Sequence, residues 1–598
     1  MGVFLLEEKY PVKDPRVPPP FEGIQVNFCK NFDCEHFGHF VSPEKQPRGP
    51  GAAGRPNDGY VVGSKGGFRK YITCRSCNQE SVLKSNQAVH EELSRISAYL
   101  SVSVRGCKNA ECPNRYIDIK AGKAYYQKFG ATDIGSSRYR CKACERTFSV
   151  PQRSTSRQRF TSKNKMIFKL LVNHSPFKRI CEVLDISSVT LYRRIDFLHR
   201  QCLAFAASRE CLIKSLQIPK LSIACDRQEF VLNWTNTKDK RNVILKAVAS
   251  ADIDTGFIFG MHSNFDPTID IQAVEEDSRA IGDGLRSLEF RKYARIWLAD
   301  DHARMVRRRN RYSGPIQEEG LLRNVADRYT KALERDDIEA SDDPNPNAQL
   351  PPLGAQIHEE YTLYGHFFFL KHIFAEVGNV CFYLDQDSGM RAACLAAFLD
   401  EIKDRRCDAF YVRINRDLNI HQRERIVKRV KTELEAARVA YPYLSESSLR
   451  VLRVLEEMDR LETVGRWEDR WLNYPYPNKS QPEKAVCYLT ERRGCHYDQT
   501  DIADLYLKAS LHVVDSYFNQ IRTRLSPLRR SQQSQSNDGR RWYGYQPYKP
   551  ELVQKLLDIF RTYRNYCMKG KKDKKTPAMR LGLADAPVDL DSVIHFQP

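Results

Sequence analysis

The hydrophobic and polar positions of this chain follow two different periods. From Ser162 to Gln201, apolar residues recur at helical spacing in three segments, and Ser175-Pro176 and a turn at 185–187 separate these segments. After Pro219 the pattern changes to that of strands, in LSIACDRQEF and in NVILKAVASADIDTGFIFGMH, where DIDTG joins two strands into a hairpin. Further on, NVCFYLDQDSGM and DAFYVRI are predicted strands with the helix MRAACLAAFLDEI between them. The pattern predicts three helices followed by an α/β core.

The chain of 598 residues is too long for one hydrophobic core, so we expect several units. Arg, Glu and Leu at helical spacing predict a helical insertion before the end of the core, and an acidic, Pro-rich stretch predicts a surface insertion. The predicted units are a first cysteine-containing unit with a flexible loop at 1–100, a second such unit at 101–155, a three-helix unit at 156–212, a core at 213–567 with insertions at about 291–360 and 417–480, and a basic tail at 568–598.

Eight cysteines form two quartets with the same internal spacing. The first pair of each quartet stands in CKNFDC or CKNAEC, and the second pair in YITCRSC or RYRCKAC. Two close pairs of thiolates suit a tetrahedral structural zinc ion, and four thiolates leave no open position for chemistry. Ordinary free thiols are the alternative. The sequence therefore predicts two structural Zn2+ ions, bound by Cys29, Cys34, Cys74 and Cys77 and by Cys107, Cys112, Cys141 and Cys144.

Two further features concern the cysteines. His36 lies close to Cys34, but four thiolates already complete a zinc site, so we expect this imidazole beside the site or at the surface. Ten of the 18 cysteines lie outside the quartets, and these we interpret mainly as core residues.

The three-helix segment is interpreted as a helix-turn-helix that binds DNA. Its third helix would display Thr190, Tyr192, Arg193 and Arg194, which can reach base edges and phosphates. A generic three-helix packing unit is the alternative. Cations also surround the second pair of the second quartet, where Arg138 and Arg140 suit phosphate contacts unless they belong to a solvated basic turn.

Acidic residues follow two predicted core strands. Asp226 ends the first strand and Asp385 ends a later one, and the ends of strands facing a crevice are the usual place for a site in such sheets. Each residue alone could cap a loop. Asp387 is a possible alternate ligand two residues further on. Asp300 and Asp301 also follow an apolar run, but they fit a helix end or a turn better.

Composition agrees with a nucleic-acid partner. The formal charge of +20 favours a polyanion, although net charge does not locate a surface. No apolar run reaches about 18 residues, and the first residues turn acidic too early for a signal peptide. We therefore expect a cytoplasmic, nucleoid-associated protein without membrane contact.

The motif RYRCKACERTFSVP resembles the zinc-ribbon end of bacterial insertion-sequence transposases, and the order of ribbon, helix-turn-helix and acidic core is similar to that of the family. The resemblance implies an RNase H-like core, in which Asp226 and Asp385 are the first two members of a DDE triad. The third place matches LHVVDSYFNQIRTRLSPLRR, where Asp515 stands instead of the usual Glu. Glu491 and Asp504 are the other candidates for this place.

The family further implies two catalytic Mg2+ or Mn2+ ions, with the carboxylates as their ligands. Its activity is metal-dependent cleavage at element ends followed by strand transfer into target DNA. Double-stranded DNA, as transposon ends and target, and a homo-oligomer are the implied partners. Two alternatives remain, a domesticated transcription regulator with an inactive core and a nuclease without strand transfer.

The stretch after Asp515 combines Arg with aromatic residues, in IRTRLSPLRRSQQSQSNDGRRWYGYQPYK. That combination favours phosphate pairing and base stacking. Arg522, on the same helix as Asp515, is predicted to contact the DNA backbone. The run KGKKDKK near the end of the chain is interpreted as a solvated basic tail.

Overall fold

A computed structural model shows a multidomain α/β protein with a mixed central sheet and two cysteine-rich units. Within the described residues, no helix combines the length and the apolar character that crossing a bilayer requires. The structure describes residues 14–44, 46, 57–65, 69–101, 105–133, 135–150, 154–155, 158–233, 238–309, 325, 348–387, 389–415, 418–465, 468–491, 498–533 and 540–597.

Each cysteine quartet belongs to a three-stranded antiparallel sheet with its own small core. In both sheets the middle strand ends at the first cysteine of the second pair. The first unit contains β1 Tyr60–Lys65, β2 Arg69–Cys74, β3 Glu80–Val82 and helix α1 Asn86–Ser97. The second contains β4 Tyr126–Ala131, β5 Ser137–Cys141 and β6 Thr147–Val150.

Three helices stand in the three segments where the sequence predicts them: α2 Lys163–Leu171, α3 Phe177–Leu184 and α4 Ser188–Glu210. The side chain of Ser187 caps α4 by accepting the Thr190 N–H. Ile180, Leu191 and Ile195 are fully buried where the helices meet. Helix α4 has 23 residues and continues past Gln201, where the predicted three-helix pattern ends, to Glu210 beside the core.

The core is a nine-stranded sheet in the order β11-β8-β7-β13-β14-β17-β16-β15, with β9 also paired to β8. The hairpin of β7, β8 and β9 is antiparallel, whereas β13 runs parallel to both β7 and β14. The strands are β7 Lys220–Leu232, β8 Asn242–Asp252, β9 Ile258–Ser263, β10 Phe265–Asp266, β11 Ala348–Gln349, β12 Ala355–Gln356, β13 Asn379–Asp385, β14 Cys407–Ile414, β15 Glu462–Val464, β16 Asp469–Asn473 and β17 Lys484–Tyr488. The short strands β10 and β12 pair with each other outside this sheet.

Helices cover both faces of this sheet. They are α5 Ile271–Ala280, α6 Ala299–Arg309, α7 Glu359–Ile373, α8 Met390–Ala397, α9 Leu399–Lys403, α10 Ile420–Ala440, α11 Glu446–Met458, α12 Gln499–Lys508, α13 His512–Arg524, α14 Glu551–Thr562, α15 Pro577–Leu581 and α16 Leu590–Ile594. A short hairpin of β18 Gln532–Gln533 and β19 Arg541–Trp542 lies between α13 and α14.

The insertion predicted at 417–480 is helical in its first part, as α10 and α11, and then adds β15 and β16 to the sheet. The insertion predicted at about 291–360 contains α6, but 310–324 and 326–347 lie outside the described residues. Helix α7 was not anticipated. It begins at the predicted end of this insertion, and most of its residues are buried, polar ones included.

The prediction of a basic tail at 568–598 is wrong for most of that segment. Helix α16 packs against α2 and α4, and Val593 and Ile594 are buried there. The Gln201 amide also donates to the carbonyls of Ile594 at 2.9 Å and Phe596 at 2.8 Å. The lysine-rich run at 571–575 is exposed, whereas apolar residues that follow it are buried and complete the core of the three helices.

The cysteines outside the quartets are core residues, as expected, with few exceptions among those described. Cys211 is exposed, and Cys181 and Cys567 are half-buried. The buried ones are Cys202, Cys225, Cys381, Cys394, Cys407 and Cys487.

The first cysteine unit is attached to the core by a buried ion triad. Glu360 of α7 accepts from Arg69 of β2 at 3.0 Å and from Lys84 at 2.7 Å, and its carboxylate is only 1% exposed. Burial alone raises the pKa of Glu360, but Arg69 and Lys84 outweigh burial and lower this pKa to about 2. Helix α1 packs along α7 beside the triad. The unit is therefore held to the core by charge as well as by apolar contact.

We expect Glu360→Gln to destabilise this attachment by about 3–5 kcal/mol, because it leaves two cations buried without a counter-charge. Hydrogen exchange in β1 to β3 would measure the loss. Since the Glu360 carboxylate has a lowered pKa, its contribution to the stability of the folded protein is fully present above pH of about 4.3 and is lost as the pH falls towards 2. The control is Glu275→Gln, which removes a surface pair with Arg279. Equal exchange in the two variants would contradict the prediction.

Candidate metal centres and active site

The two quartets bring their sulfur atoms together. Among the described residues, only these two quartets bring three or more His, Cys, Asp or Glu side chains so close that their ligand atoms all lie within 4.8 Å of one another. Sulfur–sulfur distances are 3.5 Å for Cys29–Cys77 and 3.6 Å for Cys34–Cys74. A tetrahedral zinc with bonds of about 2.3 Å needs about 3.7 Å between sulfurs. The first quartet could therefore hold a structural zinc ion with little movement.

The second quartet repeats this geometry. The sulfur–sulfur distances are 3.4 Å for Cys107–Cys144 and 3.6 Å for Cys112–Cys141. All four thiols belong to the small core of this unit, and only Cys144 is more than slightly exposed. This site could hold a second structural zinc ion in the same way.

The turn that carries each second pair has the same backbone in both units. Asn78 and Glu145, which follow the turns, have positive φ angles of 53° and 59°. Their N–H groups donate to the carbonyls of Cys74 and Cys141, at 2.9 Å in each case. Such a turn aims both thiols of the pair at one point, as a metal site requires.

A buried tyrosine, which was not among the predicted site residues, supports the first pair of each quartet. The Tyr60 hydroxyl accepts the Cys29 N–H at 3.0 Å and donates to the His39 carbonyl at 2.8 Å. The Tyr126 hydroxyl accepts the Cys107 N–H at 3.1 Å and donates to the Ile117 carbonyl at 2.7 Å. The available signal was a tyrosine 14 or 15 residues before the second pair of each quartet.

Thiol ionisation agrees with metal binding. A hydrogen bond from the Cys29 thiol lowers the pKa of Cys77 to about 5, and the Arg146 backbone N–H lowers the pKa of Cys144 to about 7. The direction of both shifts favours the thiolate form that binds zinc. His36 Nδ1 lies 3.7 Å from the Cys74 sulfur and 2.9 Å from the Ser76 hydroxyl, beside the site.

The first predicted catalytic residue lies inside a strand, not at its end. Strand β7 continues for six residues beyond Asp226, up to Leu232, because it stays paired with β8. The expectation of a strand end at the sheet edge was therefore wrong, since β7 is a central strand. Pairing with β13, however, stops at Cys225, so Asp226 lies where the parallel ladder ends.

Asp385 comes next to Asp226 through strand register. Leu384 pairs with Cys225, so the following residues, Asp385 and Asp226, occupy the next paired level of the two parallel strands. Residues at one level of a parallel pair point to the same face of the sheet. Asp226 is 5% exposed and Asp385 is half-buried. The fold thus places two carboxylates side by side.

The face that carries these carboxylates is the one covered by α12. Tyr383, two residues before Asp385 and hence on the same face, donates to the Leu505 carbonyl of α12 at 2.9 Å. Phe382 on the opposite face packs against Phe367 of α7, with ring centroids 5.6 Å apart. Helix α13 follows α12 after three residues and packs against β7 and β8.

Small residues line the sheet beside Asp226. In the ladder, Asp226 pairs with Ala249 and Ala224 pairs with Ala251, and all three alanines are buried. Small side chains let a helix approach a sheet closely. Asp is one methylene shorter than Glu, so close approach is the condition under which an aspartate on α13 would reach Asp226 and Asp385.

Asp515 lies in the first turn of α13, at the edge of its buried stripe of Val514, Tyr517, Phe518 and Ile521. The carboxylate is half-buried. The ligand atoms of Asp226, Asp385 and Asp515 do not all lie within 4.8 Å of one another. The structure therefore brings Asp226 and Asp385 to one level and places Asp515 on a helix packed against β7.

The loop after Asp385 is held by a buried ion network. Arg227 pairs with Asp387 and with Glu359 of α7, and Lys246 of β8 reaches the same glutamate at 2.8 Å. Asp387 is thus a partner of Arg227, whose side chain points to the face opposite Asp226. Its interaction positions the loop beside the carboxylates, and this argues against Asp387 as an alternate ligand.

The remaining candidates have other surroundings. Asp301 pairs with the buried Arg291 at 2.5 Å. Asp300 and Asp301 both lie in the first turn of α6, in agreement with their interpretation as part of a helix end. Glu491 pairs with Arg470 at 2.5 Å. Asp504 lies exposed on α12. None of these four acids lies on β7, β13 or α13.

The first turns of α4 present most of the predicted DNA-binding residues to solvent. Tyr192 and Arg193 are exposed, and Thr190 is half-buried with its hydroxyl 3.0 Å from that of Ser187. Arg194 differs, because it is 8% exposed and donates to the Arg159 carbonyl. Burial lowers the pKa of its guanidinium. Arg194 therefore does not have the exposure that the predicted phosphate contact requires, and it stabilises the interior of the three-helix unit instead.

The other predicted DNA contacts are half-buried. Arg138 lies over the ring of Phe129 at 5.6 Å, and Arg140 pairs with Glu145 at 3.0 Å across the second cysteine unit. Both lie on one face of β5, two residues apart. Arg522 lies on α13, seven residues after Asp515.

No family matches. Neither a protein-family model nor a curated protein sequence shows significant similarity to the chain. The case for a function therefore rests on the geometry of these sites.

We expect the purified protein to contain two zinc ions per chain, by elemental analysis, because both quartets have zinc-compatible geometry. Cys77→Ser and Cys144→Ser should each lower the content by about one ion and unfold the affected unit, which has little core of its own. Cys211→Ser, at an exposed cysteine outside the quartets, is the matched control. Less than about one zinc per chain in protein never exposed to a chelator would refute the prediction.

Proposed function

We propose that the protein is a DNA transposase that cleaves DNA at element ends and transfers the cut strand into target DNA in a metal-dependent reaction. The observation that carries the proposal is the pair Asp226 and Asp385, set at one level of two parallel strands. Carboxylate oxygens are the ligands that hard divalent cations prefer. Asp515 is the third ligand of the proposed site.

The strand order supports an RNase H-like core. An antiparallel meander of three strands, β9-β8-β7, continues through two parallel strands, β13 and β14, with α7 before β13 and two helices after it. The resemblance to the transposases implies an RNase H-like α/β core whose first two acids belong to two core strands, and here those acids lie on the neighbouring strands β7 and β13.

Asp226, Asp385 and Asp515 would hold two Mg2+ or Mn2+ ions, which would supply activation of the attacking oxygen and stabilisation of the leaving oxygen in an in-line displacement. The residues of the chain supply the rest. Asp226 and Asp385 hold their oxygens on one face of a rigid sheet, and the ion network of Arg227 and Asp387 fixes the loop that follows Asp385. A preorganised set of ligands stabilises the transition state more than a mobile set does, because the ligands need no reorganisation during the reaction.

Helix α4 is proposed as the DNA-reading element. Its first turns expose Tyr192 and Arg193, while its last turns pack against α14, where Glu210 pairs with Arg561 at 2.7 Å. A helix of 23 residues spans about 35 Å. The reading end and the core are therefore joined by one continuous rod, and a homo-oligomer would bring two such rods to paired DNA ends.

We expect Asp226→Asn, Asp385→Asn and Asp515→Asn each to reduce cleavage of element-end DNA by about 100-fold or more, because loss of a metal ligand costs several kcal/mol at the transition state. DNA affinity should stay within about twofold of wild type. Labelled ends and a target plasmid in the same assay report strand transfer separately.

The control for this series is Asp504→Asn, which removes an exposed carboxylate from the neighbouring helix α12. Normal cleavage by the Asp385→Asn variant would reject the proposed site. Normal cleavage by Asp515→Asn alone would remove only Asp515 from it.

Arg193→Ala and Arg194→Ala should have different effects. Arg193 is exposed, so its loss should weaken duplex binding and lower the salt slope by about 1. Arg194 is buried, so its loss should lower the melting temperature of the protein instead. Titration of labelled duplex at several salt concentrations and thermal melting measure the two effects. An unchanged salt slope in Arg193→Ala would contradict the phosphate contact.

A further inference from the structure

The segment between α13 and α14 exposes three large aromatic side chains. Trp542 is 48% exposed, Tyr545 42% and Tyr548 50%. Large aromatic residues normally bury most of their surface, and a cluster that leaves this surface in water marks a binding site. We call the residues 540–549 the aromatic platform.

The backbone of the platform is anchored, although its side chains are exposed. The fully buried Asn233, which follows β7, donates to the Tyr543 carbonyl at 3.4 Å and to the Gln546 carbonyl at 3.3 Å. Asn242 of β8 donates to the Arg541 carbonyl at 2.8 Å and accepts the Arg541 N–H at 3.0 Å. The exposed rings therefore stand on a fixed backbone, as preorganised recognition requires.

Cations surround the rings. The guanidinium of Arg529 lies 5.5 Å from the ring centre of Tyr543, and Arg530 beside it is exposed. Tyr543 in turn packs edge-on against Tyr545, with ring centroids 5.6 Å apart. Positive charge interleaved with exposed rings is complementary to a polyanion that carries flat bases.

The platform joins two other parts of the proposed DNA path. Lys549 lies over the ring of Tyr192 on α4, at 5.9 Å. Arg541 pairs with Glu229, three residues beyond Asp226 on β7. Three residues of strand span about 10 Å. The platform thus contacts both the exposed end of α4 and the strand that carries Asp226.

We infer that the aromatic platform binds unpaired nucleotides of the DNA substrate, by stacking their bases on Trp542, Tyr545 and Tyr548. The inference rests on the proposed function and adds to it the form of the substrate, a DNA end whose strands are separated beside the site. A duplex hides the faces of its bases within the stack except at its ends, so several exposed rings can stack on successive bases only where those bases are unpaired.

The test is binding of fluorescent oligothymidine, followed by anisotropy without divalent metal. Removal of a stacking ring costs about 1–3 kcal/mol per base. Trp542→Ala combined with Tyr548→Ala should therefore weaken single-strand binding by at least about 10-fold, and affinity for a duplex of equal length should stay within about twofold.

Two further variants make the test selective. Trp542→Phe keeps a stacking ring and should retain most of the affinity, which excludes misfolding as the cause of the loss. Tyr443→Ala removes a tyrosine that is 99% exposed, between α10 and α11, and should have no effect. Unchanged single-strand binding in the double variant would overturn the inference, and so would an equal loss for single strand and duplex.

Failure of the proposed function would give a different result. If the core does not cleave DNA, wild-type protein fails in the cleavage assay but still binds oligothymidine through the platform. Asp385→Asn should bind oligothymidine as wild type does, because the assay contains no metal. Loss of oligothymidine binding in Trp542→Ala with Tyr548→Ala therefore reports on the platform alone.

Discussion

The parallel pairing of β7 with β13 is the constraint on which the candidate active site depends. Asp226 and Asp385 are 159 residues apart along the chain, and only the hydrogen-bonded register of the two strands brings them to one level. A shift of one residue would turn one carboxylate to the opposite face. The ion network of Arg227, Glu359 and Asp387 stabilises this register at the end of the ladder.

Rigid connections extend from this sheet to the rest of the molecule. Helix α4 reaches from exposed Tyr192 to the buried pair of Glu210 with Arg561, and the platform backbone is anchored through Asn233 at the end of β7. The first cysteine unit is attached through Glu360. Elements that would contact DNA are therefore positioned by the same sheet that carries the carboxylates, so a DNA end bound by one of them has a defined relation to the others.

The two cysteine units differ in their relation to the core. The first is joined to α7 by the Glu360 triad and by packing of α1, whereas the second has its own small cluster around Tyr126 and Phe148. The metal geometry is nevertheless the same in both, down to the positive φ after the second pair. Repeated sequence has thus produced repeated local structure in two different surroundings.

Local sequence determined the elements whose signals are local. Equal cysteine spacing predicted both quartets, and alternation of apolar residues predicted β7, β8, β9, β13 and β14. Tertiary structure decided the burial of side chains and the ends of strands, which local sequence does not determine. Helix α7 is buried all round and so lacks an amphipathic pattern, and Arg194 is buried by contact with Arg159 although its position on the helix suggested exposure. Asp226 lies inside its strand because β8, not the sequence of β7, sets where that strand ends.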